Sequence, residues 1–185
     1  VLLNAIGPVW DGNEVWLVTG GGALFAAFAV VYATVFSGFY LACILLLRGL
    51  IMRAVAIEFR SKHPSPVWRR TWDACFAIGS ALSALLLGVA LGNIARGVPL
   101  SADLTYAGTF VALLNPYALV VGLTTVALFA MHGTLYLLTK TEGELLAQVR
   151  RWVRPTFAVV VALVGLTTLL TMRFVPHMLD AFRTH

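Results

Sequence analysis

Charge is scarce in this sequence. Asp, Glu, Lys and Arg make up 11% of its 185 residues, where a soluble domain carries about a quarter. So little charge cannot clothe a water-soluble globule, and that class is excluded. Cysteine is sparse too. Cys43 and Cys75 are the two present; both lie in or beside apolar runs without ligand spacing, which argues against a disulfide framework or a cysteine-held metal. The chain has no Walker loop, dinucleotide fingerprint, HExxH pair or nucleophile elbow. The glycine-rich run TGGGA at 19–23 sits inside an apolar segment and cannot cradle a phosphate. No pair of inward-facing histidines is apparent that would hold a haem between helices. A signal-peptide pattern is missing, as is any self-similarity at a period of about 20–50 residues.

Hydrophobicity is what the chain has in abundance: 60% of its residues are hydrophobic and the mean hydropathy is +0.90. Runs of roughly 20 apolar residues match the ~30 Å hydrocarbon core of a bilayer. The expected fold is an all-α polytopic membrane protein, with five apolar segments at 13–34, 38–57, 73–95, 116–138 and 156–175. They are expected to bundle as one transmembrane domain over residues 1–185. The first two are separated by Phe36-Ser37-Gly38, which predicts a tight helical hairpin. The third and fourth are joined by a longer stretch punctuated by Gly and Pro. Pro116 and Pro155 are placed in first helical turns, where proline is tolerated. Gly88 and Gly92 form a GxxxG that permits close helix approach.

The net charge of +5 does not point to nucleic acid, because the basic residues flank the apolar runs. Nine of the thirteen lysines and arginines lie in or near 58–72 and 139–155; Arg96, Arg173 and Arg183 fall on the other side, and Arg48 inside a segment. The positive-inside rule then makes both loops cytoplasmic, and with them Asp11. The chain begins at Val1 and is expected to be a piece of a longer protein.

The acids of WDGNEVWL, residues 10–17, stand out at the mouth of the first segment. Asp11 and Glu14 share a helix face, in what this pattern makes the first turn. Two readings stay open. They cap the helix N-terminus, where the dipole favours negative charge, or they accept protons at the cytoplasmic mouth of a path into the membrane. The second segment returns to the same side with Arg53, Glu58 and Arg60. At ~1.5 Å per residue, Asp11 is level with Glu58 or Arg60, and Arg53 lies a turn or two deeper. The expected cluster joins Asp11 and Glu14 with Arg53, and Glu58 with Arg60. Arginine partners keep carboxylates ionised whereas burial opposes it, and the sequence leaves that balance open.

Arg48, in LLLRGLIM, is too costly to leave in lipid alone; it must face the bundle, another subunit or an anionic group, or snorkel. His132, in LFAMHGTLY, is a lone intramembrane histidine that can ligate haem, relay protons or bond a neighbouring backbone. Asn93, Asn115, Thr124 and Thr125 suit interhelical hydrogen bonds or caps.

Residues 6–40, IGPVWDGNEVWLVTGGGALFAAFAVVYATVFSGFY, together with RAVAIEFRSK at 53–62, resemble subunit II of the cytochrome bd-type quinol oxidases. WRRTWD at 68–73, GVALGN at 88–93, GVPL at 97–100 and LLNPYALVVGL at 113–123 follow in the family's order. The resemblance implies a bacterial inner-membrane complex that oxidises quinol and reduces dioxygen to water with protons from the cytoplasm. It implies a larger fold of two helical bundles, of which this chain is a fragment lacking the first helix and the C-terminal helices. Haems b and d and the quinol-oxidising loop belong to the partner, subunit I, so this chain ligates no metal. A small accessory subunit and a structural quinone occur in some members. By this resemblance Asp11 of the WDGN motif lies on a proton path, with Arg53 as its partner, Glu14 and Glu58 as lesser contributors, and Trp10 beside the path or a quinone.

Two positions depart from the family pattern. Ala54 follows Arg53 where a proline is expected, and Arg48 occupies a place that is usually apolar or small. Two other functions compete: a purely structural membrane subunit, and a transporter that binds an anion or couples protons through Arg48 and Asp11. A transporter of that kind is marked by broken helices or an inverted repeat, and neither is visible.

Overall fold

The structure is a computed structural model and describes residues 2–179. In order, its helices are α1 (Leu2–Ala27), α2 (Ala29–Gly38), α3 (Tyr40–Phe59), α4 (Pro66–Arg96), the single turn α5 (Phe110–Leu113), α6 (Pro116–Leu138) and α7 (Gly143–Phe174), followed by a 3₁₀ turn at Pro176–Leu179. No strand occurs among the described residues. This is what so apolar a chain must do. In hydrocarbon each backbone N–H and C=O needs a partner within the segment, and a helix supplies one. Of the described helices, α3, α4, α6 and α7 are long and apolar enough to cross a membrane, and α2 is a shorter apolar helix. The chain is an all-α polytopic membrane protein.

The first apolar run, 13–34, is not one helix. α1 starts at Leu2 and continues through Pro8. It stops at Ala27, where Phe28 leaves the helical region at φ −137°, ψ 57°. Asp11 and Glu14 therefore lie two or more turns inside α1, beyond the reach of the N-terminal dipole, and the capping reading is corrected. Phe36, Ser37 and Gly38 are helical, at the end of α2. The chain instead turns at two bends, Phe28 and Phe39. Packed rings brace the segment between them: Phe25 lies edge-on to Tyr32 at 5.1 Å, and Tyr32 stacks on Phe36 at 4.2 Å. Gly38 is required here, because a Cβ on it would sit 2.9 Å from the Tyr106 side chain.

α4 and α7 begin well before their apolar runs, at Pro66 and Gly143 rather than near 73 and 156. Hydropathy marks the membrane-facing part, whereas a helix needs only paired backbone and tolerant side chains, and the Arg, Glu and Gln residues of these stretches are good helix formers. Pro155 consequently lies inside α7 and not in its first turn. Thr156 donates its hydroxyl to the Trp152 and Val153 carbonyls at 2.7 and 3.0 Å in the turn that the proline loosens.

Two compact units divide the chain: Val1–Ser83 with Pro99–Phe110, and Ala84–Val98 with Val111–His185. In the second, Gly88 and Gly92 of α4 let α6 approach; a Cβ at Gly92 would lie 2.8 Å from the Ala118 Cα. Asn93 closes the polar account of this seam. Its amide donates to Val89 O at 2.8 Å and Leu113 O at 2.7 Å, and its carbonyl accepts from Asn115 at 2.9 Å. Asn115 in turn caps α6 by accepting from Ala118 N at 3.0 Å. Tyr117 and Thr124 tie α6 to Thr171 and Thr167 of α7 at 3.0 and 2.7 Å, while Thr125 bonds only its own helix, to Val121 O. Asn93→Leu is expected to destabilise the intact protein by about 1–2 kcal/mol, read as a lower denaturation temperature in detergent. Thr168→Val, which removes only an exposed bond to the helix's own backbone, should leave that temperature unchanged.

Candidate functional site

The first unit brings α1, α3 and α4 together around Arg53. α1 contributes Trp10, Asp11 and Glu14. Trp10 is half-buried and Asp11 exposed, while Glu14, one turn further along the same face, is partly buried. On α3, Arg53 lies one turn before the fully buried Ala56. Its Nε is 4.0 Å from Glu14 Oε1, and each side chain is 24% exposed. At that length the contact is an ion pair and not a hydrogen bond, and neither atom has another protein partner.

α4 shapes the rest of the Arg53 environment. The guanidinium sits 5.6 Å above the Phe76 ring, within cation–π range. Gly79 makes room for its stem: a Cβ there would meet Arg53 Cγ at 3.3 Å and the Gly49 carbonyl at 2.7 Å. Ser83 lies against Gly49 one turn beyond. Trp72 Nε1, Ser80 Oγ and Ser83 Oγ are also buried without a hydrogen-bond partner. Ser80 and Ser83 thus lie along α4 inward from the Glu14–Arg53 pair, while Trp72 lies toward the Arg60–Asp73 end of the helix, against Phe59. Buried polar atoms of this kind are normally met by ordered water.

Several expected pairings are corrected. Of the two acids expected beside Arg53, Glu14 pairs with it as expected and Asp11 stays exposed. Arg60 does not pair with Glu58, which is exposed, but forks onto Asp73 of α4, with Nη2 to Oδ2 at 3.1 Å and Nε to Oδ1 shorter still. Asp73 was missed because it lies 13 residues from Arg60 across the turn that reverses the chain. The signal for it was the short link between two apolar runs, which forces adjacent helix ends together. Around this fork Trp68 donates to Phe59 O at 2.8 Å and packs against Trp72 at 5.6 Å. Aromatic rings of this kind favour the membrane–water interface.

Other residues singled out lie elsewhere. Arg48 and His132 are exposed on α3 and α6. Among the described residues no group of three or more His, Cys, Asp or Glu is placed to hold a metal ion. His63 packs against Trp68. A separate cleft of about 530 Å³ is lined by α2 residues, including Thr34, and by Asp103–Thr105. Thr34 there bonds Leu104 O at 2.8 Å, and the cleft shares no residue with the Arg53 site.

The fold and site define a class: a multi-pass helical membrane protein with an acid–arginine pair held between its helices. More specifically, the chain belongs to the cytochrome bd terminal oxidase subunit II family, whose profile matches residues 1–182. It is 48% identical over 149 residues to cytochrome bd-I ubiquinol oxidase subunit 2 of Escherichia coli K12, covering 78% of this chain and 39% of that protein. It is 44% identical over 149 residues to the probable cytochrome oxidase subunit 2 of Haemophilus influenzae, again covering 78% and 39%. With cytochrome bd ubiquinol oxidase subunit 2 of Bacillus subtilis it shares 39% identity over 160 residues, 86% of this chain and 47% of the relative. The chain thus spans less than half the length of these relatives.

Proposed function

We propose that this chain is part of subunit II of a bd-type terminal oxidase of the bacterial inner membrane, and that it carries protons from the cytoplasmic face toward the reaction its complex performs. That reaction is the oxidation of quinol coupled to reduction of dioxygen to water. Haems b and d of the complex, read here as held by a larger partner subunit, supply the electron transfer to dioxygen. The observation that carries the reading is the Glu14–Arg53 pair, half-buried at 4.0 Å between α1 and α3 in a chain of this family. Placement of Asp11, Arg53 and the loop 58–72 at the cytoplasmic face rests on the Lys and Arg bias.

In this scheme Asp11, exposed at the mouth, takes a proton from bulk water. Glu14, about one turn deeper, receives it on a carboxylate that is partly withdrawn from water. Arg53 keeps Glu14 from holding the proton permanently, because a guanidinium nearby favours the ionised acid. Ser80 and Ser83 extend the polar row along the seam. Glu58 and Trp10 flank the mouth without joining the pair.

A structural reading of the same residues draws on the packing of Arg53 against Phe76 and Gly79, which makes the arginine a brace between helices. The variant Asp11→Asn separates the two. In the intact complex it is expected to lower quinol-driven oxygen consumption by about tenfold or more, the scale of a lost proton-transfer group, with haem content unchanged. Normal turnover would overturn the proton role of Asp11, and loss of haem together with turnover would transfer it to the structural reading.

A further inference from the structure

Arg60 and Asp73 stand where the link between α3 and α4 reverses the chain, and neither has a part in the scheme above. Arg60 closes α3, its N–H donating to Ala56 O at 3.1 Å, and forks onto Asp73 through Nε to Oδ1 and Nη2 to Oδ2. Two parallel bonds between planar groups fix their mutual orientation, as a single ammonium contact does not. The fork belongs to one antiparallel register. Seven residues back along α3 and six on along α4, Arg53 meets Gly79, whose Cβ position lies 3.3 Å from Arg53 Cγ and 3.5 Å from Arg53 N. Four residues further on each helix, Gly49 faces Ser83, with Ser83 Oγ 2.6 Å from the Gly49 Cβ position. Arg53 and Arg60 thus share a face of α3, two turns and ~10.5 Å apart. All of these contacts are made between α3 and α4 of this chain, inside one compact unit.

We propose that Arg60 and Asp73 are positioning residues for the Glu14–Arg53 pair: their fork fixes the slide and rotation of α3 on α4, and so the place of Arg53 before Glu14. The inference rests on the proton-carrying reading of that pair for its consequence in turnover, but not for the placement itself. Among the described residues the ion pairs are two, and this is the one that joins α3 to α4; the other joins α3 to α1. Packing at Gly49 and Gly79 sets how near α3 comes to α4. The fork, being directional, sets where along α4 the helix stops. A slip of one residue moves Arg53 by ~1.5 Å along the seam. Glu14 Oε1 and Arg53 Nε are 4.0 Å apart and neither has a hydrogen-bond partner, so no second contact at those atoms would carry one after the other. The two side chains of the fork are 35% and 47% exposed, which limits its worth to stability; its work is geometric.

The test is a pair of double-variant cycles in the intact complex. Arg53 and Arg60 are separated by a distance at which independent effects add. Asp73→Asn and Arg53→Leu should each lower the denaturation temperature, and the double variant should lose clearly less than both together, because a fork with no Arg53 to place has less to do. Asp73→Asn should also lower quinol-driven oxygen consumption per haem by about tenfold, within the cost of a misplacement of about 1 Å. In a Glu14→Gln background it should lower it no further. A contact that merely held the helix ends together would move stability alone, and additively. If Asp73→Asn does not assemble, Arg60→Lys carries the same test, since lysine keeps the charge and loses the fork. Additive losses of stability overturn the proposal, as does full oxygen consumption in Asp73→Asn where Glu14→Gln is slow. Full consumption in Glu14→Gln itself overturns the proton-carrying reading instead, and the stability cycle then decides the placement alone.

Discussion

Glu14→Gln in the intact complex is expected to cut quinol-driven oxygen consumption by about tenfold or more while the haem spectrum stays normal. The substitution is nearly isosteric, so packing around α1 survives, but the amide can no longer accept and release a proton. Arg53→Leu acts differently. It strands the Glu14 carboxylate, which is 24% exposed, and so lies between a surface pair worth about 0–1 kcal/mol and a buried one whose breaking costs about 3–5 kcal/mol. A loss of about 2 kcal/mol, seen as a lower denaturation temperature, is expected. The double variant decides between the two roles. If the pair is a brace, removing both charges recovers the stability lost in Arg53→Leu and restores oxygen consumption with it. In the proton-carrying role stability returns but turnover stays low. Recovery of both would end the proton-path reading of Glu14.

The sequence makes some of this arrangement legible and hides the rest for identifiable reasons. α3 and α6 cover 40–59 and 116–138, close to the apolar runs read for them, because clear punctuation ends each run. Asn115 and Pro116 open α6, and charge follows α3 at once. The break at Phe28 carried no such sign. AAFAVV contains neither glycine nor proline, the residues that usually announce such a bend. Arg53 was brought near the α1 acids by counting rise per residue, which fixes depth but not azimuth. Asp11 and Glu14 differ by only ~4.5 Å in depth, so the count could not choose between them. The side chains did, by placing Glu14 against Arg53 and leaving Asp11 outside. Asp73 went unseen as the partner of Arg60 for a related reason: the pair belongs to neighbouring helix ends, and no periodicity within one helix relates them.

Gly79→Ala should be among the most damaging single-methyl changes in this protein. The added Cβ would lie 2.7 Å from the Gly49 carbonyl and 3.3 Å from Arg53 Cγ. The first of these neighbours is backbone, so relief comes only by moving α3 from α4. Overpacking of this kind costs about 1–3 kcal/mol. Gly49→Ala should be milder: its nearest obstacle, at 2.6 Å, is Ser83 Oγ, which turns aside by one rotamer. Gly133, with nothing within 4 Å of its Cβ position, supplies the control, since alanine there only adds helix propensity. The expected order of denaturation temperature in detergent is Gly133→Ala at or above the parent, Gly49→Ala below it, and Gly79→Ala lowest. Equal temperatures for all three would show that α3 and α4 do not meet at these glycines. The seam also positions Arg53, so a shift of α3 lengthens a contact with Glu14 that is already 4.0 Å. Gly79→Ala is therefore expected to lower oxygen consumption in the complex that remains folded, without touching an ionisable group. A variant that loses stability but keeps full turnover per folded complex would mean that the pair tolerates separation, and that the exact placement of Arg53 does not matter to its work.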